Sequence, residues 1–257
     1  MKGNNKGWTR WQLLVAFGLY CQMPFGKLHS RNPEIIKFAE RIGRTPSALA
    51  MKLTNIASLD PAITSTGRKG LSGASASDKE MWEEMQSDWE RFAIESESAL
   101  TVAMKSDQPI ARENDLTGIE DYSGAEKVIK AKARIRQNFF RRAVLSAYNY
   151  KCCITGLAIP ELLVASHIIP WRTDERNRLN PSNGLALSML HDKAFDIGLI
   201  TINDDMTLRV SDVEYPGEDS FYKIAIKYYE NKPIALPEKF PPLKEFLYHH
   251  RQHVFRC

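Results

Sequence analysis

A chain of 257 residues with 43% hydrophobic and 26% charged side chains has an ordinary globular composition, with room for one large core or two modest ones. Its formal net charge of +4 is too small to name a polyanionic partner, so a nucleic-acid reading must rest on local clusters of positive charge. No run reaches the roughly 18 apolar residues of a membrane span. Cys21, Cys152, Cys153 and Cys257 form no CxxC pair or disulfide-like framework, so the expected setting is reducing and cytoplasmic.

Lys2, Lys6 and Arg10 ahead of the apolar run from Leu13 to Cys21 have the outline of a secretory leader. Trp8 and Trp11 break the basic segment, however, and Gln22-Met23-Pro24-Phe25 offers no small-residue cleavage site. The spacing of Trp8, Trp11, Leu14, Val15 and Leu19 instead predicts a buried amphipathic helix over 8–21. A second helix starts at Pro33 and runs to Ile42, and Thr45 caps a third that opens with Pro46 and turns Leu49, Leu53 and Ile56 inward. Two short helices joined by a Gly-containing turn have a helix-turn-helix outline, with Ser47, Lys52 and Asn55 facing out toward DNA. A plain helical hairpin explains the same pattern.

Residues 64–78 form a Gly/Ser/Thr-rich loop in which Arg68 and Lys69 are candidate phosphate contacts. One long helix is predicted from Asp78 to Met104, with Trp82, Met85, Trp89 and Phe92 as a packing stripe and an acidic outer face. Residues 105–122 lack periodicity and mark a domain boundary. From Gly124 to Lys151 the charge becomes one-signed: Arg134, Arg136, Arg141 and Arg142 are candidate DNA-backbone contacts, with Phe139, Phe140, Val144 and Leu145 as anchors. Tyr148 to Ile168 reads as a β-hairpin turned at Thr155-Gly156, which leaves His167 at a strand end. A polar loop follows, then Asn183-Gly184, then a short helix from Ser188 carrying His191, Asp192 and Asp196. A last hairpin pairs Leu199–Ile202 with Thr207–Val210, and a C-terminal helix carries His249, His250 and His253. The spacing from His249 to His253 suits a metal, but no third ligand is evident.

The chemistry is concentrated between Tyr148 and Leu208. Phosphodiester hydrolysis needs a base near neutrality, which an imidazole supplies, and a cation against the growing phosphate charge. His167, Asn183 sixteen residues on and His191 eight further fall within three ordered blocks: Ala165-Ser166-His167-Ile168-Ile169-Pro170, Pro181-Ser182-Asn183-Gly184-Leu185-Ala186-Leu187, and His191-Asp192-Lys193-Ala194-Phe195-Asp196-Ile197-Gly198-Leu199-Ile200. These blocks resemble the HNH, or ββα-metal, endonuclease superfamily, and more closely its bacterial restriction-type branch.

The resemblance implies an α+β protein: a helical, helix-turn-helix-like recognition domain over 1–110 and an HNH nuclease domain over 111–257 with its core at 145–210. It implies His167 as general base, Asn183 as a loop brace and His191 as a metal ligand. Family members often carry an acid or histidine before the base, where this chain has Ser166. Asp196 is therefore the first candidate for a second ligand and Asp192 the next. The implied cofactor is a divalent cation, Mg or Mn before Zn or Ni. The implied partner is double-stranded DNA, cut in restriction or defence by a homodimer, with Arg172 and Lys193 as further DNA contacts and a modified base as one possible trigger. The alternatives are a DNA-binding module with a decayed nuclease core, or a nuclease of RNA or single strands.

Overall fold

The computed structural model describes residues 7–65, 73–105, 125–213 and 220–256 (for 125–134 the backbone alone). The chain divides into two compact units, Met1–Phe139 and Phe140–Cys257. Arg68, Lys69 and the side chain of Arg134 lie outside the described residues, as does nearly all of the expected boundary at 105–122.

The first unit is helical. α1 (Arg10–Gln22) is capped by a Thr9–Gln12 capping box and is buried on all sides from Trp11 to Gln22, not along one stripe as its spacing predicted. Gln12 survives inside because its amide donates to the Ile42 carbonyl and accepts from Arg44. α2 (Pro33–Arg41) and α3 (Pro46–Ala57) open on Asn32 and Thr45 caps with Pro at the first turn, and Gly43 takes the left-handed turn between them. α4 (Pro61–Thr64) is one turn capped by Asp60.

The single helix expected over 78–104 is two, α5 (Ala76–Ser87) and α6 (Trp89–Lys105). Asp88 breaks it: its N–H closes α5 on the Glu84 carbonyl while its carboxylate accepts from Arg91 N and caps the next turn. Met85, Trp89 and Phe92 are core residues, and Phe92 meets Phe17 and Phe139 edge-on.

α7 (Ala125–Ala147) crosses the division and gives the second unit its first buried face, Phe140, Val144 and Leu145. The hairpin expected over 148–168 is not formed. Gly156, at positive φ, closes a tight turn on Cys152, and Pro160 starts a 3-10 turn, so extended pairing cannot run through this stretch. The partner of β1 (Leu163–His167) comes instead from beyond the polar loop: β2 (Gly184–Ser188), antiparallel, with Ser166 opposite Leu185 and His167 opposite Gly184. β2 runs directly into α8 (Met189–Asp196), capped by Ser188. β3 (Ile200–Ile202) and β4 (Leu208–Val210) form the second hairpin, as the sequence predicts. α9 (Ser220–Ala225) and α10 (Lys244–His253) complete the unit. The architecture is α+β, and among the described residues no helix is long and apolar enough to cross a membrane.

Candidate active site

The site grows out of the β1–β2–α8 unit. Gly184 begins β2 because α7 leaves no room for a side chain: a Cβ there would lie 2.4 Å from Val144 Cγ2 and 3.0 Å from Phe140 Cζ. Across the strand pair His167 stacks on the same Phe140 ring, with centroids 3.8 Å apart and planes 9° from parallel, and it meets Trp171 edge-on. Its Nε2 lies 2.9 Å from the Arg178 carbonyl. A carbonyl only accepts, so Nε2 carries the proton and Nδ1 keeps the lone pair. Burial pulls the His167 pKa below its ordinary value, the carbonyl opposing, so the ring stays neutral near pH 7.

Asn183 holds the loop that supplies that carbonyl. Fully buried, it accepts from Ile169 N at 2.8 Å and donates to the carbonyls of Ile169 and Asn177. Its own carbonyl accepts from Ile168 N, so both ends of the loop are tied at one residue.

Ser166, one step before the base, is 2% exposed, and its hydroxyl has no well-formed hydrogen bond. It lies against the Asp192 carboxylate closely enough to pull that pKa down, yet loss of hydration dominates and Asp192 is raised overall. Asp196, one turn further along α8, is raised first by desolvation and then by the Asp192 charge, with Lys193 offsetting part of the effect for both. Two carboxylates that lose hydration, the second raised by the charge of the first, with the Ser166 hydroxyl against Asp192, offer oxygen donors suited to a hard dication. Among the described residues no three His, Cys, Asp or Glu side chains converge into a ready-made cage, which leaves the hydroxyl, water or substrate to complete any coordination.

His191 directly precedes Asp192 on α8. Its Nδ1 bonds the Ser188 hydroxyl at 2.8 Å, its ring meets Tyr229 edge-on at 5.7 Å, and Nε2 is buried without a well-formed partner near the Ala225 backbone. Nδ1 is thus anchored by its own helix cap, and Nε2 is the nitrogen left for a ligand. Of the two acids, Asp192 is the one beside Ser166, with Asp196 close enough to feel its charge.

The expected DNA contacts also divide. Lys52 does not face out: it is 6% exposed and paired with the fully buried Asp78 at 2.7 Å. Arg136 is paired with Glu90. Arg141 donates to the carbonyls of Leu163 and Pro160, bracing the approach to β1. Arg142, Arg172 and Lys193 are exposed. In α10 the rings of His249 and His253 lie 4.4 Å apart, with no third ligand among the described residues, while His250, buried, stacks on Phe195 and bonds Thr201 and the Phe195 carbonyl. Arg178, Tyr229 and His250 were not legible as site or support residues: a backbone carbonyl leaves no mark on a sequence, and a histidine that bonds across 49 and 55 positions has no local pattern.

A hairpin running straight into a helix, with an imidazole at the end of the first strand, a buried asparagine before the second and carboxylates on the helix, is a ββα unit of nuclease type. Residues 152–203 match a family model described as HNH endonuclease, which supports placing this segment in the HNH superfamily. No curated protein matches the chain.

Proposed function

We propose that the protein is a metal-dependent endonuclease that hydrolyses DNA phosphodiester bonds, with His167 as general base. The observation that carries this reading is the tautomer of His167: an imidazole fixed by a backbone carbonyl, neutral, with Nδ1 left as the acceptor. Nδ1 takes the proton of the attacking water, and the Arg178 carbonyl stabilises the imidazolium that results. Phe140 and Trp171 hold the ring plane, and Asn183 holds the loop.

His191 through Nε2, Asp196 and Ser166, with Asp192 beside Ser166, are the residues that would hold the cation, Mg or Mn by the hardness of the oxygens. Bound there, it would supply countercharge to the phosphate and to the leaving 3′ oxygen.

The same reading takes the products as 3′-hydroxyl and 5′-phosphate ends and the setting as cytoplasmic restriction or defence. Cleavage of both strands by one site per chain calls for a homodimer. Incubating the protein with supercoiled plasmid and Mg²⁺ or Mn²⁺ tests the core of it: wild type nicks and His167→Ala does not. Equal nicking by both removes His167 from the mechanism. DNA binding without metal binding or nicking would make this a binding module with a decayed core.

A further inference from the structure

Basic residues that the sequence offers to DNA are largely engaged elsewhere: Lys52 by Asp78, Arg136 by Glu90, Arg141 by two carbonyls. The second unit carries a different surface. α9 and the 3-10 turn Lys227–Tyr229 expose Phe221 at 65%, Ile224 at 71% and Tyr228 at 61%, large apolar side chains that a monomer normally shields. Lysines run through them. Between 220 and 232 stand Lys223, Lys227 and Lys232 against one acid, Glu230, which Lys227 meets at 3.3 Å. Lys232 Nζ sits 3.0 Å from the centroid of the Tyr228 ring, so that ring is presented together with a cation.

This surface is tied to the helix of the candidate active site. Tyr228 packs edge-on against Tyr229 at 5.1 Å, and Tyr229 packs edge-on against His191 of α8, the neighbour of Asp192. The Ala225 backbone, in α9 itself, also reaches His191. Aromatic rings exposed among lysines and anchored to a phosphate-cutting helix match what an unpaired nucleic-acid strand offers: flat base faces for the rings and phosphates for the ammonium groups.

From this we infer that the α9 surface, with Phe221 and Tyr228 as stacking rings and Lys232 as a phosphate contact, holds the substrate strand in a single-stranded stretch next to the cut. The inference rests on the nuclease reading and narrows it: duplex bases stack only on each other and hide their faces, so the surface selects DNA with unpaired character, such as an overhang, a fork or a melted site.

Fluorescence anisotropy in EDTA, where no cutting occurs, tests it with labelled single-stranded, overhang and blunt duplex oligonucleotides. The expected result is tighter binding of single-stranded and overhang DNA than of blunt duplex by the wild type, and a loss on the order of tenfold per ring for Phe221→Ala and Tyr228→Ala. Lys232→Gln should flatten the salt dependence by about one phosphate contact. Wild-type affinity in the Phe221→Ala/Tyr228→Ala double variant overturns the inference, as does a wild-type preference for blunt duplex. So does sedimentation showing that the surface is covered by a second copy of the chain and that the double variant is monomeric. The nuclease reading fails separately, when a protein that binds the strand does not cut it with Mg²⁺ or Mn²⁺.

Discussion

His167 Nε2 and the Arg178 carbonyl, 2.9 Å apart across eleven residues of chain, decide which imidazole nitrogen can do chemistry. Burial, the largest influence, makes the ring harder to protonate. A base must be unprotonated, so log kcat/KM should rise with pH on the acid side and level off above a midpoint below histidine's ordinary 6.5. His167→Ala should lower nicking by roughly 10²- to 10⁴-fold. An acid limb centred above pH 7, or a variant that cuts at the wild-type rate, defeats this assignment.

Asp192 and Asp196 hold their protons more tightly than ordinary carboxyls because both lose water, and Asp196 also because Asp192 is charged. Titration calorimetry with Mn²⁺ should therefore show weaker binding for Asp192→Asn and Asp196→Asn, and for His191→Ala, whose Nε2 is left without a well-formed partner while Ser188 holds Nδ1. Folded-state pKa values raised above those of the unfolded chain mean that the metal-free protein loses stability as pH rises through the carboxylate range. The Asn variants should then melt higher than wild type without metal and gain less from its addition. Wild-type Mn²⁺ binding in all three variants would overturn the assignment.

His250 is the structural histidine of the second unit. Burial, with smaller contributions from the neighbouring His249 and Arg251 charges, lowers its pKa to about 4 against the opposing Phe195 carbonyl, while the unfolded chain protonates near 6.5. Unfolding therefore takes up a proton between those values, and stability present above pH 6.5 drains away as pH falls toward 4, by roughly 3 kcal/mol in full. Urea unfolding at pH 7 and pH 5 should show this slope in wild type and lose most of it in His250→Gln. An unchanged slope in the variant would place the titration elsewhere.

Lys52 and Asp78 make a buried pair in the first unit, and Asp78 also accepts from Ser75 N at the start of α5. Removing one partner leaves a charge stranded, so Lys52→Met should cost about 3–5 kcal/mol in chemical denaturation. DNA affinity of the folded variant should match wild type. A fully stable variant with weakened DNA binding would restore Lys52 to the surface role its position in the helix first indicated.

Much of this fold could be read from the residues, and the failures have identifiable causes. Thr45 announces its helix because a capping side chain acts within three residues of itself. The order of His167, Asn183 and His191 was legible as a nuclease pattern. Which of His191, Asp192 and Asp196 meets Ser166 was not, since residues 100° apart on a helix differ only in what surrounds them. β1 was found, but its partner was assigned to the stretch before it, because local turn chemistry at Gly156 imitates a hairpin and the true partner lies beyond a loop. Lys52 misled for a related reason: its counter-ion is 26 residues away.

Asn183 and Gly184 together form the dipeptide most prone to spontaneous deamidation, in which the glycine nitrogen attacks the asparagine side chain. In this fold the Gly184 N–H is donated to the Pro181 carbonyl, and the Asn183 amide is held by Ile169 and Asn177. The reaction is thereby obstructed so long as the loop stays closed. Once it occurred, an anionic oxygen would face the carbonyls of Ile169 and Asn177, and the loop presenting Arg178 to His167 would be pushed open. The residue that braces the loop is thus also the point at which age would open it.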